Sequence, residues 1–271
     1  MKNFIENNKY LFALFLVIFA GIAFMFRDSI SDFLVVREKP GYTGVLPDST
    51  VGSGTSTRPD SGTDNGAKVS VPYSGRDPVE VRPNPDEVKG LSQGEREKMY
   101  SDIGMHGRAV KENPDFFFGW IQIGLLKKII GDYEGARDAW EYAGAIRPLN
   151  SVSFANLGEL YWRYSPDYPK SEKNFLTSIK NKPDDSSTYI SLSDLYFYSY
   201  SAKKDRADDI LLEGIKANPK NTDLMRWLAS LYEREKEYSK ALEWWKKVLV
   251  ENPSDQLVKQ AIADIETRLA K

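Results

Sequence analysis

Few side chains in this sequence are equipped for chemistry. There is a single histidine, His106, and no cysteine, so thiolate nucleophiles, disulfides and cysteine-histidine metal sets are excluded. No His-Glu-x-x-His pair and no phosphate-cradling glycine loop occurs. His106 shares helical spacing with Met99, Ile103 and Val110, which makes it a packed helix residue rather than a base or ligand. Two acidic pairs remain. Asp184-Asp185 follows Pro183, where a carboxylate caps the next helix, and Asp208-Asp209 lies early in a helix, where negative charge complements the dipole. Neither pair calls for a metal. The expectation is a protein that is not an enzyme, with no catalytic residue, cofactor or metal.

Charge narrows the partners. Lysine and arginine number 37 against 39 acidic residues, a net charge of -2, which provides no electrostatic footprint for nucleic acid. No small-molecule substrate is expected either. What remains is a protein or peptide ligand.

The elements that would hold such a ligand are punctuated by proline. Pro114, Pro148, Pro183, Pro219 and Pro253 stand 34, 35, 36 and 34 positions apart. Counting back from Pro148, Trp120, Ile123 and Gly124 fall on a first helix, A, and Ala136, Trp140 and Ala143 on a second, B. The matching sets are Phe154, Leu157, Gly158 and Tyr161 with Phe175, then Tyr189, Leu192 and Tyr196 with Ala207, Leu211 and Gly214. Met225, Leu228, Ala229 and Tyr232 with Ala241 and Trp245 complete the series. Large residues fill the space between paired helices, and small ones let the backbones approach.

This pattern resembles the tetratricopeptide (TPR) family over roughly Asp115 to Pro253 plus a following helix. The resemblance implies an all-α fold, a right-handed α-solenoid of about four repeats at 117–150, 151–185, 186–221 and 222–254. Departures are Ser171 and Ser178 for the small alanines of repeat two, Ser193 for the helix A glycine of repeat three and Val248 for the last alanine of repeat four. Extra residues near Ser165-Pro166 and Ser199 to Ala202 are expected to lengthen the turns between helices A and B, at small cost.

In the TPR fold the concave groove is lined mainly by helix A. Carried onto this chain, the lining includes Phe118, Ile121, Leu125, Lys128 and Ile129, then Glu159, Trp162 and Arg163. Further along it includes Ile190, Asp194, Phe197 and Tyr198, then Arg226, Ser230 and Arg234. The expected groove takes an apolar peptide near Trp162 and Phe197, with Arg163 and Arg226 steering its acidic groups. For Ile121, Leu125 and Ile129 the alternative is packing on the helix from Ser92 to Glu112; for Trp162, Phe197 and Tyr198 packing is an equal alternative. Of the residues with which some TPR domains clamp a terminal carboxylate, only Asn156 is present, so that activity is not expected.

The amino-terminal part differs in composition. After a short tail, 1–9, the stretch YLFALFLVIFAGIAFMF from Tyr10 to Phe26 holds no charge or proline. With its flank it predicts a transmembrane signal anchor over 10–30, since a helix of about 20 apolar residues spans a bilayer. A cleaved signal peptide is disfavoured because Phe24-Met25-Phe26-Arg27 follows the apolar core where small residues should stand. Lys2 and Lys9 before the span nearly balance Arg27, Arg37 and Lys39 after it. The short Met-Lys start favours a TPR domain outside the cytoplasm, the cytosolic face being the alternative. Residues 31–91, rich in Gly, Ser, Thr and Pro, are expected to be a disordered tether, within which Val69 to Tyr73 could instead be a short recognition strand. Ser92 and Glu95 form a capping-box pattern that opens the domain at 92–271. A capping helix at 255–270, one face polar, closes it.

Overall fold

The computed structural model describes residues 71–270. The expected tail, membrane anchor and linker up to residue 70 lie outside the described residues, within which no helix is long and apolar enough to cross a membrane.

Every regular element among the described residues is helical. A short turn of helix, α1 (Pro85–Val88), leads into α2 (Gln93–Glu112). Four helical hairpins follow: α3 (Phe117–Ile129) with α4 (Tyr133–Ile146), α5 (Val152–Glu159) with α6 (Tyr168–Asn181), α7 (Ser186–Asp194) with α8 (Ala207–Ala217), and α9 (Thr222–Arg234) with α10 (Tyr238–Glu251). The last helix is α11 (Gln256–Leu269).

Local chemistry sets these boundaries. Ser92 and Glu95 close a capping box on α2. Asp132, Asp167, Asp185, Asn221 and Asp255 each accept an amide of the helix that follows them, satisfying donors with no partner inside the helix. The prolines stop each helix B, and an asparagine just ahead of Pro183 and of Pro219 ties neighbouring repeats together. Asn181 donates to the Pro148 carbonyl at 2.9 Å, and Asn218 donates to the Pro183 carbonyl at 3.0 Å.

Packing follows the small-large code. A Cβ on Gly124 would run into the Trp140 indole, and one on Gly158 would come within 2.5 Å of the Phe175 ring. In the third hairpin the roles are exchanged, with Gly214 on helix B lying under Tyr189. The serines that depart from the repeat pattern are buried and paired: Ser171 donates to the Gly158 carbonyl at 2.7 Å and Ser193 to the Ala207 carbonyl at 2.8 Å. No buried polar side chain among the described residues lacks a partner.

Two expectations change. The extra residues of repeats two and three do not simply lengthen a turn. They widen the end of helix A into π turns, Leu160–Tyr164 and Leu195–Ser199, closed by Ser165 N to Leu160 O at 2.9 Å and Tyr200 N to Leu195 O at 2.8 Å. A 3-10 segment, Ser201–Arg206, then leads into α8.

The ordered fold also starts ahead of Ser92. Residues 71–84, expected to belong to the tether, form a strap across the first hairpin. Tyr73 sits against Trp120 and Tyr142, with ring centroids 4.5 and 5.2 Å away, and Tyr142 donates to the Val71 carbonyl at 2.9 Å. Further along, the Glu80 carbonyl accepts from Lys127 Nζ at 2.6 Å, and the Asn84 amide donates to Ile130 O at 2.7 Å. Lys127 is itself buried and paired with Asp132 at 2.9 Å. A buried ammonium needs such partners because desolvation is otherwise costly. Val81, Val88 and Leu91 then cover Ile103 and Ile130, apolar surface that a preceding repeat would otherwise occupy.

Candidate peptide-binding groove

The residues expected on the helix A face separate into three groups. Ile121 belongs to the interior, 8% exposed among Trp120, Trp140 and Leu160, and its carbonyl accepts the Trp140 indole N–H at 3.3 Å. Leu125 is half-buried against the same core, and Ile190 against the core of the later repeats around Leu192 and Leu195. Ile129 and Phe118 stay exposed, so α2 does not cover Ile129.

A second group is committed to ion pairs. Glu159 accepts from Lys128 at 2.9 Å. Arg226 pairs with Asp255, the cap of α11, which holds that carboxyl below its usual range through the guanidinium hydrogen bond. Arg226 therefore ties α9 to the capping helix, and the steering role expected for it is not where the structure places it.

The third group comes together at the ends of α7 and α9. Asp194, Phe197, Tyr198, Trp227, Ser230, Leu231 and Arg234 line a cavity of about 70 Å³. The π turn after Asp194 places Phe197 and Tyr198 edge to face, 4.9 Å apart at 88°, an arrangement that aromatic quadrupoles favour. Asp194 accepts the Trp227 indole N–H at 2.9 Å. Burial pushes its carboxyl above the usual range, opposed by that hydrogen bond and by Arg163 and Arg234.

One cation lines this cavity and two stand near it. Arg234 hydrogen-bonds the Tyr198 hydroxyl and lies 5.6 Å from its ring centroid, and Lys204 stands 4.7 Å over Phe197. Arg163 stacks 3.7 Å over Trp162, as a guanidinium does on an indole face. Trp162 is 8% exposed and donates to Ser199 Oγ at 2.8 Å, so it is a core residue that presents Arg163. Tyr198, 55% exposed, is the aromatic open to a ligand.

Trp227 escaped the sequence reading. Its signal was its place one residue after Arg226, where an indole on α9 can reach back to α7. Elsewhere Asp185 caps α7, accepting from Ser187 N at 3.2 Å, and Asp208 and Asp209 lie in the first turn of α8, where their charge complements the dipole, Asp208 also accepting from the Tyr232 hydroxyl at 3.1 Å. His106 is half-buried, and burial lowers its pKa from 6.5.

No protein-family model and no curated protein matches the chain. Among solved structures it is similar to MamA, at 15% identity and a TM-score of 0.47, over 60% of this chain and 95% of that one. It is similar to a thermophilic TPR protein of Thermus thermophilus, at 18% identity and a TM-score of 0.44, over 67% of this chain and 98% of that one. It is also similar to a tetratricopeptide repeat protein of Parabacteroides merdae, at 15% identity and a TM-score of 0.48, over 69% of this chain and 73% of that one.

Proposed function

We propose that this chain is a membrane-tethered TPR scaffold that binds protein or peptide segments on its helix A face, acting outside the cytoplasm as an adaptor or chaperone-like assembly factor. The observation that carries this reading is the cavity between α7 and α9, walled by Phe197, Tyr198, Trp227 and Arg234, with Lys204 over the Phe197 ring and the charge of Arg163 felt at Asp194. Its size suits one small apolar side chain, and its rim suits carboxylates beside that side chain. Arg234, not Arg226, is the arginine that steers. The tether reading rests on the uncharged stretch from Tyr10 to Phe26.

The test places a photo-crosslinking benzoylphenylalanine at Tyr198 in the full chain, in membranes of the cells that make it. A discrete protein adduct that disappears with Arg234→Glu supports the scaffold. No adduct, or one indifferent to Arg234→Glu, would falsify it. Orientation is read separately, by protease access to a tag after Lys271 in cells stripped of any outer layer. Loss of the tag while a cytoplasmic control survives supports the external domain; survival until the membrane is opened turns the scaffold into a cytosolic docking receptor.

A further inference from the structure

Residues 71–76 show how an extended stretch of chain seats itself on the outer face of a helix B. They cross α4 over Arg137, Asp138, Glu141, Tyr142 and Ala145, and together with them line an open cleft of about 560 Å³. Asp138 takes the Arg76 amide at 3.1 Å, and Tyr142 holds the Val71 carbonyl. The register of α6 against α4 is fixed by packing, because Phe175 covers Gly158 as Trp140 covers Gly124, and Pro183 follows Pro148 by 35 positions. That shift carries the five α4 residues to Glu172, Lys173, Leu176, Thr177 and Lys180. Those five, with Pro169, line an open depression of about 450 Å³ on α6. Repeat two has the seat, and no described residue of the strap reaches it.

The chemistry of this second seat is inverted. Asp138 is replaced by Lys173, Ala145 by Lys180 and Glu141 by Leu176, which is 42% exposed. Among the described residues neither lysine has an acidic side chain within ion-pair distance, whereas Glu172 beside them is held by Lys203 at 3.0 Å. The corresponding stripes of the later repeats offer nothing similar. On α8 they carry Asp208, Asp209, Leu212, Glu213 and Lys216, so an acid stands where Lys173 does and a second acid beside the leucine. On α10 Lys246 and Lys247 are neutralised by Glu266 and Glu243.

We infer that the outer face of α6 is a docking ledge for an extended segment of a partner protein in which an apolar side chain lies between two carboxylates. The apolar group rests on Leu176 while Lys173 and Lys180 take the acids. Lys173 and Lys180 are two helical turns apart, about 10 Å along the axis. A polyproline II segment covers that length in about three residues and returns to the same face after three, so the segment reads acidic, apolar, any residue, acidic.

The test uses the full chain in mild detergent and two fluorescein-labelled probes, acetyl-Gly-Glu-Leu-Pro-Glu-Gly-amide and its counterpart with lysine for each glutamate, followed by fluorescence anisotropy. The acidic probe is expected to bind the wild type. Lys173→Glu with Lys180→Glu is expected to weaken it by about tenfold or more and to make the lysine probe the better ligand, since like charges across a contact are strongly disfavoured. Leu176→Asp weakens it as well, and in the Tyr198→Ala, Arg234→Glu variant, whose groove no longer takes an acidic peptide, the probe still binds and still responds to Lys173→Glu with Lys180→Glu. Failure of the acidic probe to bind overturns the ledge. So does indifference to the lysine reversals, or loss of binding in the Tyr198 and Arg234 variant, which would move the probe to the groove between α7 and α9. All five altered residues are exposed, and a thermal melt of each variant checks that the fold is kept.

Discussion

At Gly124 two tendencies oppose each other. Alanine favours a helix over glycine by about 1 kcal/mol, yet any Cβ at this position meets the Trp140 indole. Overpacking a closed site costs about 1 to 3 kcal/mol, so Gly124→Ala is expected to unfold at lower urea than the wild type and Gly124→Leu lower still. Unchanged midpoints for both would show that Trp140 can swing away. Lys127 and Asp132 form the other decisive pair. Both are buried, at 2% and 5% side-chain exposure, and removing one partner of such a pair costs about 3 to 5 kcal/mol. Asp132→Ala, which also uncaps α4, should lie at the upper end of that range. Adding Lys127→Met should recover part of the loss in the same denaturation experiment.

Two ionisable residues give opposite pH signatures. Asp194 has a raised pKa because burial disfavours its charge. Its folded-state stability is therefore fullest below the ordinary carboxylate range and is lost as pH rises through the raised value. Asp194→Asn is expected to melt above the wild type at pH 7, with the gap closing towards pH 4. His106 has a lowered pKa, so its contribution is complete above about 6.5 and falls away as pH drops through the lower folded value. The decline in melting temperature between pH 7.5 and 5 should be shallower in His106→Gln.

Among the elements, the regular hairpins were legible in the sequence and the irregular pieces were not. Proline spacing and the small-large pairs located α3 to α10, because those residues are what lets two helices approach. The strap escaped because its composition is that of a linker. It is ordered by a few contacts, Tyr73 on Trp120 and Glu80 on Lys127, whose partners lie far along the chain. The π turns escaped because one or two added residues do not say whether a turn lengthens or a helix widens. Their effect is local but decisive, since they set the direction of Phe197 and Tyr198. For the strap, Tyr73→Ala removes a half-buried ring worth about 2 kcal/mol. It should raise amide hydrogen exchange in α3 and α4 while leaving α9 and α10 as they are, because helical hairpins couple to their neighbours. Uniform loss of protection from α2 to α11 would contradict that.

Over the whole described chain, the candidate groove was legible in part. Helix A offsets located Asp194, Phe197, Tyr198, Ser230 and Arg234. They also proposed Ile121 and Trp162, which the fold spends on its interior, and Arg226, which it spends on the capping helix. Offsets report which face a residue is on, not what its side chain reaches. Trp227 completes the cavity by reaching across from one repeat to the previous one, where its indole N–H meets Asp194, a relation that single-repeat counting does not contain.

The most direct measurement is a selection of peptides from a randomised display library on the full chain, run in parallel on the wild type and on Tyr198→Ala with Arg234→Glu. If the cavity between α7 and α9 is the binding site, the wild type enriches peptides with a small apolar residue beside Asp or Glu, and the double variant, folded by circular dichroism, loses those whose enrichment does not depend on Lys173 and Lys180. Equal enrichment of the same peptides by both proteins, or no enrichment by the wild type, would contradict a binding role for this groove.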